Sequence, residues 1–326
     1  MDASPTETLQ PITSIMSRHG VKCTPAEFHA AVNVTFHEFE SEVYDREHAD
    51  MWNSLPRQFE LLVDDYFRTR PDPARQYRLL DIGCGTGLAT QCILGTKFRD
   101  RISSIQLLDT SPAMLRQATR RASTWNIPFQ SRQGLLSDLP ESETYDLIIT
   151  CSVLHHIPDL SGFLQSVRLH QSPAGVFLHL QDPNGDYASD PEFLQRKKLP
   201  PPRDPQPNLL QRAIGRLYRE ITGKQGDNYL IKTNKVLLKK GLIETPLSPL
   251  EIYAITDIHV GSGDGISIRH LKQQLPDYDC LSQRAYGFFG MLASDLPDHL
   301  KAIEEDLTAK NALNGAAVGA VWTLRA

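Results

Sequence analysis

The sequence predicts a doubly wound α/β protein, a parallel sheet with a helical cap before it and an insertion after its fifth strand. Three observations lead there. Short apolar runs at Arg78–Ile82, Ser104–Asp109, Tyr145–Cys151 and Gly175–Asp182 alternate with helical stretches, the pattern of βαβ units. The first run enters a glycine-rich turn, Gly83-Cys84-Gly85-Thr86-Gly87, that opens a helix. After Asp182 the alternation stops at a break with five prolines between positions 200 and 207.

In chain order, residues 1–73 form the N-terminal helical cap. Phe28, Val32, Phe36, Phe39 and Val43 are spaced 4, 4, 3 and 4, with His37, Glu38, Glu40 and Glu42 between them. That spacing predicts an amphipathic helix with His37 on its solvated face. Leu55, Phe59, Leu62 and Tyr66 predict a second helix, ended by Arg70-Pro71-Asp72-Pro73. Residues 74–183 are the ligand-binding core. Leu79-Leu80-Asp81-Ile82 is apolar on both faces apart from Asp81, as a central strand should be, and a helix follows at Leu88–Leu94. Ser111 and Pro112 supply the N-cap and first position of the next helix. Residues 184–265 are the insertion, with helices near Leu209–Ile221 and Asn228–Lys240. Residues 266–326 complete the core through Ile268–Leu275, the apolar run Cys280–Phe289, a helix near 294–309 and a final strand Ala316–Leu324 behind the Asn314-Gly315 turn.

Composition narrows the function. The chain has 326 residues, a formal net charge of −5 and a pI near 6.1, so no general basic surface exists for a phosphate backbone and nucleic acid is not an expected partner. No apolar run reaches the 18 or so residues of a membrane helix, and the opening segment lacks the pattern of a secretory signal. Five cysteines, Cys23, Cys84, Cys92, Cys151 and Cys280, include no C-x-x-C pair, which points to a reducing, cytoplasmic setting without disulfides or a zinc ribbon. A homodimer is compatible with everything above.

A dinucleotide fold requires G-x-G-x-x-G with its third glycine at position 88. That position is Leu88, the spacing is G-x-G-x-G, and Asp109 ends the next strand 22 residues after Gly87, where a carboxylate can take both hydroxyls of a ribose. With this turn, Asp109, and the segment Tyr145-Asp146-Leu147-Ile148-Ile149-Thr150-Cys151-Ser152-Val153-Leu154-His155-His156-Ile157-Pro158-Asp159, the chain resembles the class I S-adenosylmethionine-dependent methyltransferases. Within them it is most similar to the small-molecule group that includes ubiquinone and menaquinone C-methylases. The resemblance runs from about 78 to 182, and weakly from 266 onward. It implies a Rossmann-like sheet and S-adenosylmethionine as cofactor, leaving S-adenosylhomocysteine as product. It also implies that Gly83, Cys84, Gly85 and Gly87 hold the methionine portion, that Asp81 orders the loop, and that Asp109 with Thr110 holds the ribose. Met114 then packs near the adenine, Cys151 walls the pocket, and Tyr44-Asp45 matches a Tyr-Asp that closes over the cofactor's carboxylate. The family's adenine-binding Asp falls at Leu135 here. The Leu136 N–H with apolar contact, or Asp138, would replace it, and the sequence does not choose between them.

Methyl transfer from a sulfonium is an in-line displacement, so holding the acceptor close and collinear supplies much of the catalysis. A base is needed only if the acceptor loses a proton. His155 and His156, just past the fourth strand, and His259, in a glycine-rich loop with Asp257 and Asp264, are the candidates. Each also has a structural reading: sheet packing, loop capping, or a solvated turn. Phe36, Trp52, Tyr229, Tyr253 and Tyr286 are the expected wall of a pocket for a planar or partly apolar small-molecule acceptor, a natural product or other metabolite. His155, His156 and Asp182 are the one imaginable metal set, but no i,i+4 histidine pair or cysteine cluster supports it, and no metal is expected. Two alternatives stand beside small-molecule methylation. One is a methyltransferase-fold protein that binds the cofactor for a non-methylating reaction or as a partner subunit, and the other is a protein or RNA methyltransferase.

Overall fold

The structure, a computed structural model, describes residues 8–70, 74–200, 229–261 and 265–325. Its centre is a seven-stranded sheet: β1 (Tyr77–Ile82), β2 (Ile102–Asp109), β3 (Phe129–Gln133), β4 (Tyr145–Cys151), β5 (Gln171–Pro183), β6 (Tyr278–Tyr286) and β7 (Ala317–Leu324). The order is β3-β2-β1-β4-β5-β7-β6. Strands β1 to β5 pair in parallel, and β7 runs antiparallel to both its neighbours. This is a doubly wound, Rossmann-like sheet. Two strands were not read from sequence. β3 is polar and exposed beyond Phe129, an edge strand with no apolar pattern to reveal it. β6 overlaps the run Cys280–Phe289 but starts earlier and ends at Tyr286.

Alternation along the strands fixes both layers. Leu79, Leu107, Leu147, Ile149 and Leu178 face one side, together with α4 (Ala49–Thr69), α5 (Leu88–Ile93) and α6 (Pro112–Ala122), the last opened by Ser111 and Pro112 as expected. Leu80, Ile82, Ile148, Phe177 and Trp322 face the other, against α7 (Leu160–Leu169) and α12 (Ile268–Gln274). The second predicted N-terminal helix, α4, is therefore a layer of the sheet rather than part of a separate cap. A further helix, α13 (Asp298–Ala309), packs beside β6.

Before α4 come α1 (Gln10–Arg18), α2 (Pro25–Glu40) and the single turn α3 (Tyr44–Glu47). α2 starts at a capping box in which Thr24 and Glu27 satisfy each other's backbone N–H. The described part of the insertion contains α8 (Pro191–Arg196), α9 (Tyr229–Lys239), α10 (Pro249–Thr256) and α11 (Ile258–Gly261). The helix expected at 209–221 and Asp264 lie outside the described residues. Phe28, Val32 and Phe36 of α2 share one buried cluster with Leu237 of α9 and Ile252 and Ile255 of α10. Hydrophobic burial thus joins two segments far apart in sequence into one lid.

The shared cluster makes a testable claim. Leu237 is fully buried, so Leu237→Ala should cost about 2–5 kcal/mol. Amide exchange should speed up in Pro25–Glu40 as well as in Tyr229–Lys239 while β1 and β4 stay protected. Acceleration confined to α9 would show that the two segments do not share a core.

Candidate active site

The site lies at the C-terminal edge of β1, β2 and β4, where the strand order reverses and open α/β sheets bind ligands. Ile82 pairs with Leu108 on one side and Thr150 on the other, so Gly83, Asp109 and Cys151 emerge together. Gly83 has φ +63°, and a Cβ there would stand 2.6 Å from Val153 Cγ2. The loop carrying the two histidines is packed that closely against the turn. Gly85, at φ +52°, has nothing within 4 Å of where its Cβ would be. Here the backbone faces open space.

Asp109 is half-buried, and its two oxygens accept from Gly85 N and Ser111 N, each at 2.8 Å. Burial, against those hydrogen bonds, raises its pKa. Asp81 is fully buried, with Oδ2 accepting from Thr90 N and Oγ1 and Oδ1 left without a partner. Burial pushes its pKa up to about 7. An acceptor ring with one orphaned carboxylate oxygen, a second carboxylate nearby and an open glycine suits a ligand with hydroxyl and ammonium donors, as the implied cofactor has.

Cys84 is buried, and its backbone N–H donates to Leu108 O at 3.0 Å. Burial also keeps the Cys84 and Cys151 thiols protonated, with both pKa values well above the ordinary range. At the far side Met114 is 2% exposed and Leu136 is buried, whereas Leu135 is 57% exposed. Asp138 accepts from Leu135 N at 2.7 Å, so one oxygen of the alternative adenine partner is already engaged locally. Thr110 accepts from Gln133 Nε2 at 3.2 Å through its carbonyl.

The lid is latched to this edge. Asp45 accepts from Thr86 Oγ1 at 2.6 Å, Trp52 Nε1 at 3.1 Å and Arg121 Nη2 at 2.5 Å, and Arg121 also donates to Thr86 O. The Arg121 guanidinium lies 4.2 Å from the centre of the Trp52 ring. Glu38 forms a second latch, accepting from Ser111 Oγ and Ala113 N at 3.0 Å each, at the start of α6. Arg121, Thr86 and Glu38 were not picked out from sequence, because each acts across more than 30 residues and no local spacing marks it. Tyr44 is half-buried, its ring centre 4.4 Å from that of His48, and its hydroxyl is pushed well above the usual range by burial and by Glu40.

Several residues expected to line the acceptor pocket have structural roles instead. Phe36 is 3% exposed, edge-on to Tyr229 and Tyr253 at 5.4 and 5.8 Å, and those two hydroxyls are 3.1 Å apart. Tyr286 is buried and donates to Gln181 Oε1 at 2.9 Å. Trp52 belongs to the latch. His37 also departs from its reading as solvated. Only 21% of its side chain is exposed, and it donates through Nδ1 to Glu40 at 2.9 Å.

The histidines after β4 have defined partners. His155 is buried and donates through Nδ1 to Asp182 Oδ1 at 2.9 Å, and its N–H reaches the same oxygen at 3.2 Å. Asp182 is presented by a bulge: the β5–β7 register shifts between His179 and Asp182, and Gln181 sits at φ +65°. Burial opposes its ionisation, but the hydrogen bonds from His155, and the nearby His179 ring 3.5 Å away, hold its pKa below the ordinary value. His156 donates through Nδ1 to Thr256 O at 2.7 Å, with Asp257 Oδ1 at 3.2 Å. A carbonyl only accepts, so Nδ1 carries the proton and Nε2 is left as an acceptor. Burial, then His155 and His37, lower the His156 pKa well below the usual value. His259 donates through Nε2 to Ile157 O at 2.9 Å and braces α11 against the same loop.

His155, His156 and Asp257 each bring a donor atom within 4.8 Å of the others, with Asp257 rather than Asp182 as the carboxylate. Two imidazoles on one tetrahedral ion, with bonds of about 2.1 Å, stand with ring centres about 5 Å apart. Here the centres are 4.1 Å apart and the planes tilt by 41°.

Residues 80–177 match the profile of a family described as a methyltransferase domain. The ubiquinone biosynthesis O-methyltransferase of Methylobacterium sp. (strain 4-46) is 28% identical over 108 residues, 33% of this chain and 41% of that protein. Methyltransferase calH of Penicillium decumbens is 37% identical over 120 residues, 34% of this chain and 32% of that protein. The chain therefore spans less than half the length of these curated relatives. The solved plantazolicin methyltransferase BpumL in complex with SAH is 12% identical with a TM-score of 0.48, covering 98% of this chain and 99% of that one.

Gly85 and Gly241 form a matched pair for testing the turn. Both have positive φ and open space at Cβ, so an alanine at either should be strained by about 1–2 kcal/mol. Only Gly85→Ala should also weaken S-adenosylhomocysteine binding, by tenfold or more in calorimetry. Equal affinity in the two variants would remove Gly85 from the ligand cradle.

Proposed function

We propose, from an α/β core that is a class I methyltransferase domain, that the protein transfers the methyl group of S-adenosylmethionine to a hydroxyl of a small organic acceptor held beneath the helical lid. The observation that carries this reading is the convergence at one sheet edge of the open turn at Gly85, the Asp109 carboxylate and the His155–Asp182 pair. The names of the quinone O-methyltransferase relatives favour oxygen as the methylated atom. A latched lid of two segments suits an enclosed small molecule better than a protein or RNA chain.

When bound, the cofactor supplies a sulfonium methyl that leaves by in-line displacement. In this reading Asp81, Gly83 and Gly85 face its methionine portion, Asp109 the ribose, and Met114, Leu135 and Leu136 the adenine. The lid, pinned through Asp45, excludes water and fixes the acceptor. His155 accepts the hydroxyl proton on Nε2, while Asp182 fixes its tautomer and stabilises the imidazolium that forms, the logic of an oriented base. Cys151 stays a thiol and so does not compete with the acceptor for the methyl group.

The test is S-adenosylhomocysteine release over a panel of mono- and dihydroxybenzene acceptors. Against the best of them, His155→Ala and Asp182→Asn should each lower single-turnover methyl transfer by about 10²–10⁴-fold, with cofactor affinity nearly unchanged. The double variant should lose little more than either single one. Losses below tenfold would leave positioning by the lid as the source of catalysis, and no product with any acceptor would count against methylation of this class.

A further inference from the structure

Methylating a neutral hydroxyl forms a C–O bond, breaks a C–S bond, and converts a sulfonium into a neutral thioether. The positive charge reappears as one proton taken from the acceptor, which must leave a closed site in every turnover. His155 and Asp182 are buried under the lid, so the first base to accept that proton does not meet bulk water.

A line of titratable side chains leads outward from them. The His155 and His156 ring centres are 4.1 Å apart, and His156 meets His37 of α2 edge-on at 5.5 Å. His37 donates to one oxygen of Glu40 at 2.9 Å, and His48 donates to the other at 3.2 Å. Side-chain exposure is 18% for His156, 21% for His37, 6% for Glu40 and 35% for His48, so the line ends at the surface. We propose that His156, His37, Glu40 and His48 form a proton-exit relay that carries the acceptor's proton from His155 to solvent, a role that rests on the hydroxyl methylation inferred above.

The electrostatics favour the step from His156 to His37. His156, crowded by burial and by His155 and His37, holds a proton poorly. His37 faces Glu40, Asp109 and Asp257 as well as His156, and despite burial its pKa is raised. Glu40 stays ionised at about 2 because, against burial, both histidines donate to it. His48 faces Glu40, Asp50 and His37, and its pKa is also raised despite burial. A proton on His156 therefore moves to His37, which binds it better, and the His37 Nδ1 proton crosses the ionised Glu40 to His48 once rotation of that exposed ring has released its Nε2 proton to water and left the nitrogen empty. The edge-on step from His156 to His37 requires a ring rotation or one bridging water.

A purely structural role, with Glu40 fastening α2 to the turn before α4, predicts the same contacts and titrations but not the same kinetic response. The first measurement needs no acceptor: ring-proton NMR titration of the full chain saturated with S-adenosylhomocysteine. His37 and His48 should both titrate above an ordinary histidine, and both should fall by about one pH unit in Glu40→Gln. Independent, unshifted titrations would overturn the relay. The second is single-turnover transfer to the fastest dihydroxybenzene of the panel in dilute buffer. His48→Ala should slow it about tenfold, and added imidazole should restore the rate saturably; a rate indifferent to buffer and imidazole would also overturn the relay. Failure of every acceptor would defeat the hydroxyl-methylation reading and the relay's purpose with it, while the titration still decides whether the three groups are coupled.

Discussion

The carboxylate of Asp45 holds two parts of the molecule in register. A parallel sheet offers its ligand edge as bare loops, and the proposed methyl transfer needs that edge dry. By accepting from Thr86, Trp52 and Arg121 together, Asp45 ties the turn between lid and core to the glycine loop. An ion pair of this kind contributes little when freely solvated. Here it is half-buried, shared among three donors and backed by a guanidinium stacked on indole, so its geometry counts for more than its charge. The placement of Tyr44, His48 and Glu40 follows from where Asp45 is anchored.

Sealing the edge concentrates charge in a poor solvent. Asp81 and Asp109 bind protons more readily than usual, while Glu40 and Asp182 stay ionised through their histidine partners. Carboxylates of one chemical type thus divide into two groups according to whether an imidazole reaches them. Those without such a partner lie at the glycine turn and the ribose position, where a cationic ligand would complete them. Those with one lie where protons would be handled. Burial penalises the charge in all four, and an imidazole donor decides the outcome.

Much of this was legible in the sequence because it is local. The turn from Gly83 to Gly87, the strand ending at Asp109 and the pair His155-His156 are contiguous motifs whose spacing dictates a strand, a turn or a loop. What was missed depends on tertiary contact. His37 has polar neighbours in the sequence, so periodicity placed it on a wet face, but the insertion covers that face. Phe36 and Tyr286 have the aromatic character of a pocket wall and are consumed by packing. Asp182 was visible as a carboxylate near the right edge, yet its partnership with His155 depends on a one-residue irregularity at Gln181 that no strand pattern announces. β3 was missed for a simpler reason: a strand exposed on its outer edge has no need of apolar alternation.

The composite lid has a consequence for biosynthesis. Phe28, Val32 and Phe36 leave the ribosome long before Leu237, Ile252 and Ile255, the side chains that bury them. At about 5–20 residues per second, the wait is on the order of ten seconds or more, during which an apolar helix face has α1 beside it but lacks the cover that α9 and α10 supply. The sheet can assemble meanwhile, since β1 to β5 are complete before the lid's second half is made. The nascent chain therefore passes through a stage with the five parallel strands made, β6 and β7 still to come, and an adhesive amino-terminal arm, the stage at which a holdase would have something to grip and at which crowded synthesis would favour aggregation.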